Sequence, residues 1–118
     1  MIMGIGVDTV NIERFERIVT ETPAFVRRVF TPNERTRNIR SQAVRFAAKE
    51  ALSKALGTGI REPVSLRHIS IVHNDLGRPE FACAPELQAW LEQRYICRLH
   101  LSLSDEAEYI QAFAVAEM

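Results

Sequence analysis

An α+β fold, with an antiparallel sheet packed on one long central helix, is what this sequence predicts, and three stretches predict it. "QAVRFAAKEALSKAL" is an alanine-rich helical run closed by glycine. "LRHISIVHNDLGRPEFACA" places two strand-forming runs around the turn-forming "NDLGRP". "ICRLHLSLS" and "YIQAFAVAE" are two further strands joined by "SDEAE". The alternation in "HLSLS" puts Leu101 and Leu103 on one face and His100, Ser102 and Ser104 on the other. With 118 residues and no repeat, low-complexity tract or linker, residues 1–118 form one domain.

Each element has its own local reason. "MIMGIGVDTV" is β-branched and glycine-bearing, a strand ending near Asp8 or Thr9. In "NIERFERIVTE", Asn11 is an N-cap, and Ile12, Phe15, Ile18 and Val19 follow at helical spacing until Pro23 breaks the run. "AFVRRVF" makes a further short turn or helix. "TPNE" has the form of a capping box, with Thr31 at the cap, Pro32 at the first helical position and Glu34 reaching back. It opens a short helix to about Ile39. Ser41 then begins the main helix, which stops before Gly57 and whose small alanines allow close packing. "GTGIREPVS" is a loop. Strands follow at about Arg67 to His73 and Glu80 to Cys83, and Pro85 starts a helix to about Arg94.

The formal net charge is zero, which argues against a general nucleic-acid binder. The charge is unevenly spread, however. Between Ile12 and Arg45 lie eight arginines (14, 17, 27, 28, 35, 37, 40 and 45) against the four acids Glu13, Glu16, Glu21 and Glu34. That region attracts an anionic partner, and the guanidinium fork suits phosphates and carboxylates. Cys83 and Cys97 lack metal-ligand spacing and read as buried free thiols of a reducing compartment. The opening residues lack the form of a signal peptide, and no apolar run approaches the ~20 residues that span a bilayer. The expectation is a cytoplasmic chain with no membrane partner.

Three side chains stand out chemically. Asp8, at the end of an apolar strand, must be solvated, hydrogen-bonded or coordinated; it either caps the following helix or serves as a ligand. Glu50 is either a surface partner of Lys54, one turn on, or a carboxylate brought into a cleft by the packing of Ala47, Ala48 and Ala51. Two carboxylates would suit magnesium, which takes few protein ligands, and Lys54 would then reach a phosphate as a point charge. Gly57 to Gly59 either allow close approach to a ligand or merely cap the helix.

"GIGVDTVNIERF", "RFAAKEALSKALGTG", "GRP" and "HLSLSDEAEYIQAFAV", in that order and along the whole chain, resemble the holo-[acyl-carrier-protein] synthases, the small single-domain 4′-phosphopantetheinyl transferases. The resemblance implies the 4′-phosphopantetheinyl transferase fold and an activity in fatty acid biosynthesis. Phosphopantetheine would pass from coenzyme A to a serine of an acyl carrier protein, releasing adenosine 3′,5′-bisphosphate. The carrier would be a discrete protein or a domain of a large synthase. The resemblance also implies a homotrimer with its sites between subunits. By position, Asp8 and Glu50 match the family's metal ligands, for magnesium or alternatively manganese. Lys54 matches the lysine beside the transferred phosphate, and Glu50, directly or through water, is the candidate base. Arg37 and Arg45 match positions that meet the adenosine phosphates; for Arg37 a solvated helix face is the alternative. Ser53, Gly57 and Thr58 match the same coenzyme A site.

The basic early helix matches the family's carrier-docking surface, with Arg14, Arg17, Arg27 and Arg28 as candidates; their alternative is pairing with Glu13, Glu16 and Glu21. One position departs from the pattern. Asp105 stands where the family usually has histidine after "SLS", which makes Asp105 a candidate third metal-shell or base residue. Two rival readings remain: a homologue that binds without transferring, and a metal-dependent phosphohydrolase on an unrelated fold.

Overall fold

The computed structural model describes all of residues 1–118. Strand β1 (Ile2–Asn11) leads into helices α1 (Ile12–Glu21), α2 (Pro23–Val29), α3 (Pro32–Arg35) and α4 (Ile39–Ala55). A short 3₁₀ turn (Leu66–His68) precedes β2 (Ile69–His73) and β3 (Pro79–Cys83). Helix α5 (Pro85–Gln93) and strands β4 (Arg98–Asp105) and β5 (Tyr109–Glu117) complete the chain. The strands form two antiparallel sheets rather than one: β5 lies between β1 and β4, and the β2–β3 hairpin stands apart.

Close contact between α4 and the larger sheet organises the molecule. Ala43, Ala47, Ala48, Ala51 and Ala55 of α4 are buried, as are Ala112, Ala114 and Ala116 of β5. On β1 the backbone comes closer still. A methyl group on Gly4 would stand 1.9 Å from the Ala55 carbonyl oxygen, and one on Gly6 would stand 2.0 Å from that of Ala51. Such distances exclude any side chain, so glycine at these two positions lets the strand lie against the helix. Four phenylalanines seal α1 and α2 to α4: the Phe46 ring lies 5.6 Å from Phe15 and 5.4 Å from Phe25, and Phe30 lies 6.3 Å from Phe15.

Several boundaries move from their sequence-based positions. Helix α4 begins at Ile39, because Asn38 caps it by accepting the Ser41 amide at 2.8 Å. Strand β1 runs past Asp8 to Asn11, since Asp8 and Thr9 stay paired with Ala112 and Gln111 of β5. Strand β2 starts at Ile69, two residues after Arg67, because Leu66–His68 wind into the 3₁₀ turn. Cys97 is exposed, and only Cys83 is partly covered, with burial pushing its thiol up to about 11; both cysteines are free.

The capping glutamate carries a second duty. Glu34 Oε1 accepts the Thr31 amide at 3.0 Å and also the Lys49 ammonium at 2.6 Å. Lys49 is 0 % exposed, donates to the Val29 carbonyl at 2.9 Å and lies 5.1 Å from the centre of the Phe30 ring. Burial pulls the Lys49 pKa down while Glu34 holds it up. A charged lysine in such a place requires its carboxylate partner.

Candidate active site

The glycine-mediated contact of β1 with α4 brings together residues far apart in the chain. Asp8 leaves β1 beside α4, where Lys54 Nζ donates to the Asp8 carboxylate at 3.2 Å and to the Val7 carbonyl at 2.9 Å. Lys54 therefore pairs with Asp8 across two elements rather than with Glu50 one turn away. Two of its three N–H donors are used, which leaves one for an incoming oxygen.

Asp8 and Glu50 are both half-buried and line one cleft of ≈ 200 Å³. Burial raises the Asp8 carboxyl above the usual carboxylate range, against a smaller lowering by Lys54. Burial also raises Glu50, with the Asp8 charge adding to the shift and Lys54 opposing it. Two half-buried acids, one of them raised further by the charge of the other, favour a shared cation. No group of three or more potential metal-ligating side chains occurs in the chain, so a cation here would take the remainder of its shell from water or substrate oxygens. Magnesium fits such a sparse all-oxygen set.

Arg14 reaches the same cleft from α1, together with Thr9, Asn11, Phe15, Ile18 and Phe46. Asn11 positions that helix by accepting the Arg14 amide at 2.8 Å. The sequence places Phe15 and Ile18 only at helical spacing on α1; Phe15 is buried in the core, Ile18 is 40 % exposed, and both form the cleft wall. Their helical spacing held the only signal, and it does not distinguish a core from a cleft. Arg14, Arg17, Arg27 and Arg28 are exposed and form no ion pair, so the alternative pairing with Glu13, Glu16 and Glu21 does not occur.

The remaining sequence-predicted residues lie outside this cleft within one chain. Ser53 is buried, its hydroxyl donating to the Glu50 carbonyl at 2.8 Å. Gly57 and Gly59 adopt φ of 75° and 64° in the loop after α4, and the Thr58 hydroxyl donates to the Gly59 carbonyl at 2.8 Å. Arg37 is exposed and unpaired. Arg45 is 5 % exposed, bonded to the Ser41 hydroxyl, with Nε 3.9 Å from Glu34 Oε2. Burial lowers the Arg45 pKa, and the neighbouring Arg37 charge lowers it further. Asp105 is not grouped with Asp8 and Glu50 within the single chain; its carboxylate pairs with Arg40.

Residues 4–114 match the family model described as the 4′-phosphopantetheinyl transferase superfamily. The chain is 48% identical to the holo-[acyl-carrier-protein] synthase of Neisseria meningitidis serogroup A, with 99% of each chain covered. Its backbone is similar to the crystal structure of a holo-[acyl-carrier-protein] synthase from N. meningitidis, with a TM-score of 0.94, 46% identity and complete coverage of both chains. It is also similar to the Helicobacter pylori synthase in complex with coenzyme A, with a TM-score of 0.82, 30% identity and coverage of 96% of this chain and 99% of that one. These likenesses leave no room for an unrelated phosphohydrolase fold. With the match running almost from end to end and the β1–α4 contact placing Asp8 beside the "AAKE" helix, the chain belongs to the 4′-phosphopantetheinyl transferase superfamily.

Proposed function

We propose that this chain is a holo-[acyl-carrier-protein] synthase, transferring 4′-phosphopantetheine from coenzyme A to a serine of an acyl carrier protein. The observation that carries the reading is the cleft of Asp8 and Glu50, with Lys54 bonded to Asp8, in a chain that matches proteins of that name over their full length. The serine oxygen attacks the phosphorus that bears the pantetheine arm. The bond to the other phosphate of the diphosphate breaks, and adenosine 3′,5′-bisphosphate leaves. Glu50, with its carboxyl raised by burial, is the group suited to accept the serine proton. Lys54 stabilises the oxygen of the departing phosphate and can return a proton to it.

Asp8 and Glu50 would hold the metal ion, magnesium or alternatively manganese, which when bound supplies charge neutralisation for the diphosphate. Arg37 and Arg45 are assigned to the adenosine phosphates, and Ser53, Gly57 and Thr58 to the edge of the same site. That assignment requires a site larger than this cleft: its ≈ 200 Å³ falls short of the ~300–1,000 Å³ usual for a ligand of this size. A homotrimer with sites between subunits meets the requirement. The unpaired Arg14, Arg17, Arg27 and Arg28 form the docking surface for an acidic carrier, either a discrete protein or a domain. No helix is long and apolar enough to cross a membrane, and the proposed setting is the cytoplasm.

The test is to incubate the protein with coenzyme A, magnesium and an apo acyl carrier protein, and to weigh the carrier by mass spectrometry. Gain of one phosphopantetheine, abolished by chelator and by Glu50→Ala, is the expected result. Coenzyme A binding without any mass gain on several carriers would replace this reading with that of a binding homologue.

A further inference from the structure

We propose that Arg40 is a positioning residue for carrier docking, acting through the turn between β4 and β5; the inference rests on the function proposed above. Arg40 lies in the first turn of α4. Its guanidinium donates to the Asp105 carboxylate, to the Glu106 carbonyl at 3.2 Å and to the Ala107 carbonyl at 2.9 Å. Three acceptors on three successive residues fix a turn more firmly than a single surface ion pair would. The next residue passes the restraint on, because the Glu108 carbonyl accepts the amide of Ile12, the first residue of α1, at 3.0 Å. An unbroken line of hydrogen bonds and chain thus runs from α4 through Arg40 and the turn to the start of α1.

The electrostatics around the turn require such a clamp. Ala107 and Glu108 share a groove with Glu13 and Glu16 of α1, and Glu106 and Asp105 lie in the same exposed segment. None of Glu13, Glu16, Glu106 and Glu108 has an ion-pair partner, so the turn and the helix face each other with like charge. Arg40 neutralises Asp105 and holds the turn against this repulsion. The helix end held in this way carries Asn11 and Arg14, which wall the cleft of Asp8 and Glu50. Arg40 and Asp105 do not line that cleft, so they act on docking through the position of α1. Asp105 thereby gains a role as the counterion of the clamp.

Arg40→Met, Asp105→Asn and the exchanged pair Arg40→Asp with Asp105→Arg test the proposal by two readouts. The first is hydrogen exchange at the Ile12 amide, expected to quicken about tenfold in Arg40→Met, as for loss of one hydrogen bond to a charged group. The second is steady-state transfer. The KM for the carrier should rise about tenfold in Arg40→Met and less in Asp105→Asn, with the KM for coenzyme A unchanged and partial recovery in the exchanged pair. Unchanged Ile12 exchange in Arg40→Met overturns the clamp. Quickened exchange with an unchanged carrier KM, or an equal rise in both KM values, overturns its role in docking. If the unaltered protein transfers nothing, the proposed function itself has failed, and the Ile12 readout still decides whether the clamp exists.

Discussion

Asp8 and Glu50 are costly residues for an isolated chain, since each is raised by burial and Glu50 is raised further by Asp8. The linkage to stability follows from that direction. A carboxyl with a raised folded-state pKa contributes stability that is complete below its unfolded value and is lost as pH rises through the folded value. In chelator, the Tm of the unaltered protein should therefore decline, relative to that of Glu50→Gln, as pH climbs from the ordinary carboxylate range through the raised values. At neutral pH without metal, Glu50→Gln should melt higher than the parent. Added magnesium should reverse the order, because only the parent keeps both carboxylates for the ion. Melting curves at several pH values, with and without magnesium, check this, and a Glu50→Gln protein that is less stable in chelator would contradict it. The same variant should lose transfer activity, so the residue that weakens the metal-free fold is the one that function retains.

At the scale of elements, the sheet–helix contact sets the site, and Gly6 is its most sensitive point. A Cβ there would meet backbone and side-chain atoms of α4 at 2.0, 2.6 and 2.9 Å. Gly6→Ala must push α4 away from β1, at a cost of about 1–3 kcal/mol, and would separate Asp8 from Glu50 and Lys54. Chemical denaturation should record the loss, and the magnesium concentration for half-maximal transfer should rise. The alanine run of α4 made close packing legible in the sequence. Which partner came so close was not, because nothing in "MIMGIGVDTV" distinguishes a glycine under a helix from a glycine of mere convenience. Glu34 shows the same limit. "TPNE" revealed the capping role, but Lys49 lies 15 residues further along a helix, where a lysine ordinarily faces solvent. Removing the carboxylate by Glu34→Ala strands a buried ammonium and should cost about 3–5 kcal/mol, far more than the ~1 kcal/mol typical of a lost cap. A smaller loss, near the capping value, would show that Lys49 finds another partner or water.

At the scale of the whole molecule, the three-stranded sheet has two unlike faces. One carries Gly4, Gly6 and the β5 alanines against α4; the other carries Ile5, Val7 and Phe113, which are 59%, 45% and 43% exposed. Pairing in the sheet sets Val7 opposite Phe113 and Ile5 opposite Val115, so these residues form one continuous apolar surface. The β-branched, glycine-bearing opening run predicted β1, and "YIQAFAVAE" predicted β5. Both faces of those strands are apolar, though, and a single chain does not encode which of them a partner covers. The site was legible in the same partial way: the sequence singles out Asp8, Glu50 and Lys54, and the fold sets Asp8 and Glu50 in one cleft with Lys54 bonded to Asp8, whereas the walls built by Phe15, Ile18 and Phe46 depend on packing among α1, α2 and α4. A continuous apolar face left uncovered in the single chain is the surface the proposed homotrimer would use. There it would join the subunits and help to complete a coenzyme A site that the ≈ 200 Å³ cleft leaves open. Phe113→Asp places a charge at the centre of that face without touching Asp8, Glu50 or Lys54. Circular dichroism should show the fold retained, because the side chain is exposed in the single chain. Light scattering should show monomers in place of trimers, and coenzyme A affinity should fall at least tenfold, equivalent to about 1.4 kcal/mol of lost contacts from the neighbouring subunit. Affinity should return in part at high protein concentration, as reassembly rebuilds the shared site. A Phe113→Asp monomer that binds coenzyme A and transfers at the parent rate would place the complete site within one chain and overturn the shared-site arrangement.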